Sequence, residues 1–100
     1  MSYTDVDITA AQDLLKQEGL IVIDTRTAHA QSQGQLPGAQ AASDELMMKL
    51  MKSRRTNPPV LVYCYEGNSS RDMCQFIAGL GLTQVYNLAG GWKAWTAAPA

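Results

Sequence analysis

Two short, unbroken apolar runs stand out in the hydrophobic pattern of the chain. Leu20 to Ile23 and Val60 to Tyr63 contain apolar side chains throughout and are rich in β-branched residues. Such runs are typical of strands buried on both faces, which occur in parallel sheets covered by helices. A third strand is predicted over Gln84 to Leu88.

Helical spacing of apolar residues fills the intervals between these strands. Thr9 opens a capping-box spacing that predicts a helix from about Ala10 to Glu18. Ser43, followed by two acidic residues, predicts a second helix over about Asp44 to Ser53. Two further helices are predicted, one with Ser69 and Ser70 as N-cap candidates and one from Trp92 to Ala97.

The alternation of helices and strands indicates an α/β sandwich with a mainly parallel sheet. The segment from Thr25 to Ala42 is small, polar and punctuated by glycine, which predicts turns rather than a long element. A chain of 100 residues has room for one domain, and neither a linker nor an internal repeat divides it. We therefore expect a single domain over residues 1–100.

Composition narrows the classes of partner. A hydrophobic fraction of 46% and a charged fraction of 17% are typical of a folded chain. The formal net charge of -1 argues against nucleic acid and anionic membranes as partners. No apolar run approaches the ~20 residues of a membrane span, and the first residues do not resemble a secretory signal. We expect a cytoplasmic protein whose two cysteines are free thiols, with no metal or organic cofactor.

The first of these cysteines lies where chemistry is expected. Cys64 ends a predicted buried strand, and a polar loop returns the chain into a helix. Amides of such a loop and the positive helix end favour an anionic sulfur, while Gly67 permits the tight bend. A small core residue is the plainer explanation of a strand-end cysteine, but the polar loop favours a nucleophile. Cys74 falls on the apolar stripe of a predicted helix, and we expect its side chain to pack in the core. Asp24 ends the first buried strand, so we expect it near the site.

Four ordered motifs resemble the rhodanese family. The loop Cys64-Tyr65-Glu66-Gly67-Asn68-Ser69-Ser70 is similar to the active-site loop of small single-domain bacterial rhodaneses, particularly the glycerol-operon type. The other motifs are Ile23 to Arg26, Gly34 to Ala39 and Leu88 to Trp95. The resemblance covers nearly the whole chain, and it implies a rhodanese-like three-layer sandwich whose five-stranded, mainly parallel sheet is flanked by helices.

The resemblance also implies thiosulfate sulfurtransferase chemistry. The Cys64 thiolate would attack the outer sulfur of thiosulfate, expel sulfite and keep a persulfide. Cyanide or a thiol, such as that of thioredoxin, would then accept the sulfur. Loop amides from Tyr65 through Ser70 would hold the persulfide, and two half-reactions through one covalent intermediate predict ping-pong kinetics.

Departures from the family pattern affect the charged residues. Ser69 stands where many rhodaneses have arginine, so we expect Arg71 to contact substrate charge in its place. Gln35 stands where histidine is usual, and the glutamate that often pairs with Arg26 is missing, which leaves Arg26 without its usual partner. We expect Arg26 to form a salt bridge or clamp a carbonyl beside the loop, and Asp24 to orient loop amides or Arg26.

Three other functions compete with this prediction. A persulfide carrier that receives sulfur from a relay protein would need the same cysteine. A phosphatase or arsenate reductase needs an arginine at the position of Ser70, and Arg71 is one residue late, about a 100° turn on a helix. A catalytically silent interaction domain is disfavoured because the nucleophile is present.

Overall fold

A computed structural model describes residues 2–98 of the chain. Met1, Pro99 and Ala100, at the two ends of the predicted domain, lie outside the described residues. The elements are β1 (Thr4–Val6), α1 (Ile8–Leu14), β2 (Ile21–Asp24), α2 (Ala28–Ser32), β3 (Ala39–Ala41), α3 (Asp44–Lys52), β4 (Val60–Tyr63), α4 (Ser70–Gly79), β5 (Val85–Leu88) and α5 (Gly91–Ala97).

The strands form one five-stranded sheet in the order β1-β5-β4-β2-β3. Every pairing between the described strands is parallel, which confirms the predicted α/β class. β4 lies at the centre, and Asp24 of β2 is in register with Tyr63 of β4. The carboxyl ends of these two neighbouring strands therefore meet at the same edge, and Cys64 follows directly.

Helices cover both faces of the sheet and complete the three layers. The core on one face joins α3 and α4 to the strands, and the core on the other joins α1 and α5. Successive β4 side chains point into opposite cores: Val60 and Val62 pack in the first, and Leu61 and Tyr63 pack in the second. All four residues are fully buried. Burial of each such side chain contributes about 1.5–3 kcal/mol, so β4 anchors the site firmly. None of the helices in residues 2–98 is long and apolar enough to cross a bilayer.

The first helix differs from its predicted bounds. α1 begins at Ile8, because the Asp7 carboxylate accepts a hydrogen bond of 2.8 Å from the amide of Ala10. The helix ends at Leu14 instead of continuing to Glu18. Asp7 is as good an N-cap as Thr9 and comes first along the chain, so it takes the role predicted for Thr9.

The segment predicted as turns contains two short elements. Thr27 caps the five-residue helix α2, accepting from the amide of Ala30 at 3.1 Å. The three-residue strand β3 pairs with β2 at the edge of the sheet. The prediction for Ser43 is confirmed, because its hydroxyl caps α3 through the amide of Leu46 at 3.1 Å.

Candidate active site

Cys64 lies at the bottom of a tight loop between β4 and α4, with its residue only 5% exposed. The loop folds back over the sulfur, so that the amide of Gly67 donates to Sγ at 3.1 Å. Gly67 has a φ of +92°, and a Cβ there would lie 2.8 Å from the amide nitrogen of Gly90. Only glycine meets both conditions, so Gly67 is required for this hydrogen bond.

The start of α5 fixes the loop from behind. The amides of Trp92 and Lys93 donate to the carbonyls of Cys64 and Tyr65 at 2.8 and 2.9 Å. A Cβ on Gly91 would collide with the Cys64 carbonyl oxygen, which explains a glycine at this contact. Because a trans peptide directs its C=O and N–H oppositely, these bonds turn the following amides away from α5.

Hydrogen bonds make Cys64 an acidic thiol. Burial alone would raise its pKa, but the hydroxyls of Ser69 and Ser70 and the amides of Ser70 and Gly67 outweigh burial and lower the pKa to about 7. The other cysteine behaves oppositely: burial, then the negative charge of Asp5, raises the pKa of Cys74 to about 12. Cys74 is fully buried in the core, as predicted. Only Cys64 combines thiolate character with access to the surface.

Ser69, one of the two predicted candidates, is the N-cap residue of α4. Ser69 makes no side-chain cap hydrogen bond, and Ser70 is fully buried with its Oγ 3.3 Å from Cys64 Sγ. Ser70 Oγ also lies 2.5 Å from Oδ1 of Asn87, a β5 residue that was not among the predicted site residues. The Asn87 amide group donates to Asp5 Oδ1 at 2.9 Å and to the Gly67 carbonyl at 3.0 Å. A polar residue inside an apolar strand was the signal that could have identified Asn87.

Arg26 has an ion-pair partner, Asp24, although the glutamate that often pairs with this arginine in the family is missing. Its Nη2 lies 2.8 Å from Asp24 Oδ2 and donates to the Gly34 carbonyl at 2.6 Å, so the predicted salt bridge and carbonyl clamp are both present. The guanidinium also lies 4.5 Å from the centre of the Trp92 ring. Burial would raise the pKa of Asp24, but hydrogen bonds from Arg26 and Tyr63 hold it below its usual value. Burial and the hydrogen bond that the Tyr63 hydroxyl donates to Asp24 raise the pKa of Tyr63 to about 12.

Asp24 lies beside the site as predicted, whereas Arg71 is paired with a carboxylate. Among the described residues, the Asp24 carboxylate accepts hydrogen bonds from Arg26, Tyr63 and Gln35, so it orients Arg26 rather than the amides of the Cys64 loop. Arg71 lies with its guanidinium 3.9 Å from the carboxylate of Asp5, and both side chains are half-exposed.

Two cavities open beside the thiol. The larger, about 380 Å³, is lined by Thr25, Arg26, Thr27, Ala30, Cys64, Tyr65 and Ser69. The smaller, about 210 Å³, is lined by Cys64, Tyr65, Glu66, Asn68 and Ser69. Arg71 belongs to neither lining. Tyr65 and Ser69 thus separate two approaches to one sulfur.

A third cavity, about 430 Å³, lies between α3 and α4, away from the thiol. It is lined by Asp44, Met47, Met48, Met51, Met73 and Phe76, which include no nucleophile. Among residues 2–98, no three His, Cys, Asp or Glu side chains converge as a metal site. Cys64 is the candidate nucleophile among these residues, and the fold and site define an α/β protein with an acidic thiol held at the end of a strand.

Comparison with known proteins identifies the family: residues 7–98 match the rhodanese-like domain, and the chain belongs to that family. It is 36% identical to the thiosulfate sulfurtransferase GlpE of Pseudomonas putida strain GB-1 over 87 residues, which are 87% of this chain and 79% of that protein. It is 29% identical to the GlpE of Pseudoalteromonas translucida over 98 residues, which are 98% of this chain and 93% of that protein.

Solved structures show the same fold. A human single-domain sulfurtransferase, TSTD1, superposes with a TM-score of 0.76 at 18% identity, covering 99% of this chain and all of that one, 100%. A rhodanese-like domain protein from Staphylococcus aureus superposes with a TM-score of 0.72 at 22% identity, over 92% of this chain and 90% of its own. The predicted fold, the family resemblance and the prediction of a rhodanese enzyme are confirmed.

Proposed function

We propose that this protein transfers sulfane sulfur from thiosulfate, or a related donor, to a thiophilic acceptor through a persulfide on Cys64. The observation that carries the proposal is the hydrogen-bonded Cys64 sulfur, whose pKa is lowered to about 7 beside two open cavities. Relatives that match most of the chain are named thiosulfate sulfurtransferase, which supports the same reaction.

The first half-reaction is a displacement at sulfur. The Cys64 thiolate forms a bond to the outer sulfur of thiosulfate, and the bond between the two thiosulfate sulfurs breaks. Sulfite leaves as a dianion with the bonding electron pair, and the outer sulfur, now bonded to Cys64, keeps one negative charge. In the second half-reaction cyanide or a thiolate takes that sulfur and restores the Cys64 thiolate.

The loop supplies the electrostatic part of the mechanism. Hydrogen bonds from Gly67 and Ser70 reach Sγ in the free protein, and the start of the ten-residue helix α4 adds a positive field. The persulfide places its charge one atom further out, toward the amides of the loop from Tyr65 to Ser69. Tyr65, Glu66, Asn68 and Ser69 surround that position as cavity walls. We assign the loop the role that an oxyanion hole has in acyl transfer.

The site is a poor phosphatase site. Oxyanion clamping by a bidentate guanidinium needs an arginine at Ser70, whose hydroxyl is instead buried against Cys64. Arg71 is turned toward Asp5.

Both cysteines are free thiols in the structure, which suits a cytoplasmic location. The sulfur acceptor in that compartment is a thiol, such as that of thioredoxin or of a relay protein.

Intact mass after thiosulfate treatment tests the proposal. We expect a gain of one sulfur atom, its loss on addition of cyanide, and no gain in Cys64→Ser. Cys74→Ala is the matched control and retains the gain. Rapid turnover with cyanide supports an enzyme, whereas a mass gain with only slow turnover supports a persulfide carrier. Failure of every donor to add sulfur contradicts sulfur transfer.

A further inference from the structure

The larger cavity beside Cys64 has the size of an organic-ligand site. Its volume of about 380 Å³ falls within the roughly 300–1,000 Å³ of small-molecule pockets. It would hold roughly a dozen water molecules at about 30 Å³ each, which is far more space than a small inorganic anion occupies. The wall is mostly apolar and includes Ala30 and the Tyr65 side chain, whose residue is 54% exposed. A hydrophobic substituent would gain burial there.

Charge in the two cavities does not suit a dianion. Arg26 is the single cationic residue in the linings formed by the described residues, and Asp24 and the Gly34 carbonyl already occupy its guanidinium. Its side chain is only 5% exposed. The smaller cavity adds the carboxylate of Glu66. Within the linings that the described residues form, a thiosulfate ion approaching the Cys64 thiolate therefore meets no unpaired side-chain cation, and its attraction depends mainly on the loop amides and the start of α4.

We propose that this site selects organic sulfane donors that carry one negative charge and a small apolar substituent over the thiosulfate dianion. The substituent lies in the larger cavity against Ala30 and Tyr65, and the sulfane sulfur faces Cys64. Organic thiosulfonates and persulfides share this chemistry. The inference rests on the proposed sulfur transfer and names the class of donor for it.

The reaction with a thiosulfonate balances in the same way as that with thiosulfate. Cys64 Sγ forms a bond to the sulfane sulfur, and the bond from that sulfur to the sulfonyl sulfur breaks. The sulfinate leaves with the electron pair, and the persulfide carries the remaining negative charge. One unit less of repulsion acts between nucleophile and donor than with thiosulfate.

A series of three donors tests the selection in the unmodified protein. Thiosulfate, methanethiosulfonate and benzenethiosulfonate are compared by kcat/KM with cyanide as the common acceptor, each divided by its rate with a small free thiol. Benzenethiosulfonate should exceed methanethiosulfonate roughly tenfold, because the two share charge and leaving-group type and differ in apolar area. Both should exceed thiosulfate. Equal corrected values, or a preference for thiosulfate, would overturn the inference.

Two variants of one wall residue separate charge from size. Ala30→Lys adds a cation to the cavity, and Ala30→Met adds a neutral chain of similar length. The lysine variant should raise kcat/KM for thiosulfate about threefold at low salt and lower it for benzenethiosulfonate, whereas methionine should not help thiosulfate. Identical effects of both variants would contradict the charge argument. If no donor adds sulfur to Cys64, the proposed function itself fails; sulfur addition with thiosulfate preferred defeats this inference alone.

Discussion

The hydroxyl of Ser70 lies 2.5 Å from the side-chain oxygen of Asn87, and it has one hydrogen to share between that oxygen and the sulfur of Cys64 at 3.3 Å. The Asn87 amide group donates to two other oxygens, so its own oxygen must face Ser70 as an acceptor. Ser70 therefore links the Cys64 loop to β5. The ionisation of the Cys64 thiol is coupled in this way to a hydrogen-bond network that extends through Asn87 to Asp5.

Removal of the Ser70 hydroxyl should make the Cys64 thiol less acidic and the folded protein less stable. Ser70→Ala leaves the Asn87 oxygen buried without a donor, which should lower the free energy of unfolding by about 1–3 kcal/mol. The pKa of Cys64 should rise from about 7 toward its ordinary value, because a hydrogen bond to the sulfur is lost. The pH dependence of alkylation by iodoacetamide measures the second effect, and urea unfolding measures the first.

Ser43→Ala is the control for that variant. It deletes the N-cap hydroxyl of α3, away from the thiol, and should cost about 1 kcal/mol with no change in the alkylation midpoint. An unchanged midpoint in Ser70→Ala would show that the serine is structural only.

The two cysteines should respond oppositely to substitution. Cys64→Ser should abolish sulfur transfer and leave the far-ultraviolet circular dichroism unchanged. Cys74→Ala should keep most of the activity and lose stability on the order of 1 kcal/mol from a small cavity, because this side chain is fully buried. Residual turnover in Cys64→Ser comparable with the unmodified protein would exclude Cys64 as nucleophile.

The acidic thiol should make stability depend on pH. In the folded chain Cys64 ionises near pH 7, whereas an unfolded cysteine ionises near about 8.5. Below pH 7 both states hold the proton and nothing is gained, and stabilisation then grows as pH rises toward about 8.5, to at most about 2 kcal/mol. Urea titrations of the unmodified protein should show this rise, and Cys64→Ser should lack it. Parallel curves would contradict the lowered pKa.

Glu66 should hinder thiosulfate. Its carboxylate lines the smaller cavity, so Glu66→Gln should raise kcat/KM several-fold at low salt, with the effect shrinking as salt rises. Arg71→Ala should change little, because this guanidinium is 3.9 Å from Asp5 and lines neither cavity. A large loss in Arg71→Ala would restore the substrate contact expected from sequence.

The buried ion pair should be costly to break. Arg26→Met leaves Asp24 fully buried without its cation, which should lower the free energy of unfolding by about 3–5 kcal/mol. The double variant Asp24→Asn with Arg26→Met should recover part of that loss, since no uncompensated charge remains. Urea unfolding of the single and double variants, analysed as a cycle, measures the coupling.

The two buried strands and the side-chain cap of α3 could be predicted from the sequence, because each depends only on residues that are neighbours along the chain. β2 and β4 are buried on both faces, so their apolar runs were informative, and Ser43 caps α3 as predicted. The edge strands β1 and β3 have three residues each and are largely exposed, so no periodicity marks them. Their presence followed from the family resemblance and not from the pattern.

Side-chain partners across the sheet were beyond local inference. The loop around Cys64 was predicted from its own residues, but the Ser70–Asn87 hydrogen bond joins positions brought together only by the pairing of β4 with β5. Asp24 and Arg26 are two residues apart, yet their ion pair depends on the chain leaving the sheet after β2. Missing family partners therefore did not imply a missing pair.

The pairing of β1 with β5 has a consequence for folding kinetics. Val6 is in register with Leu88, so this contact closes nearly the whole chain into one loop and carries a large closure entropy. Asp5 of β1 also accepts the hydrogen bond that orients Asn87. The thiol thus acquires its full environment only when the most distant segments have met. During refolding, the reactivity of Cys64 should develop with the last cooperative phase and not with early helix formation, which makes the nucleophile a reporter of completed topology.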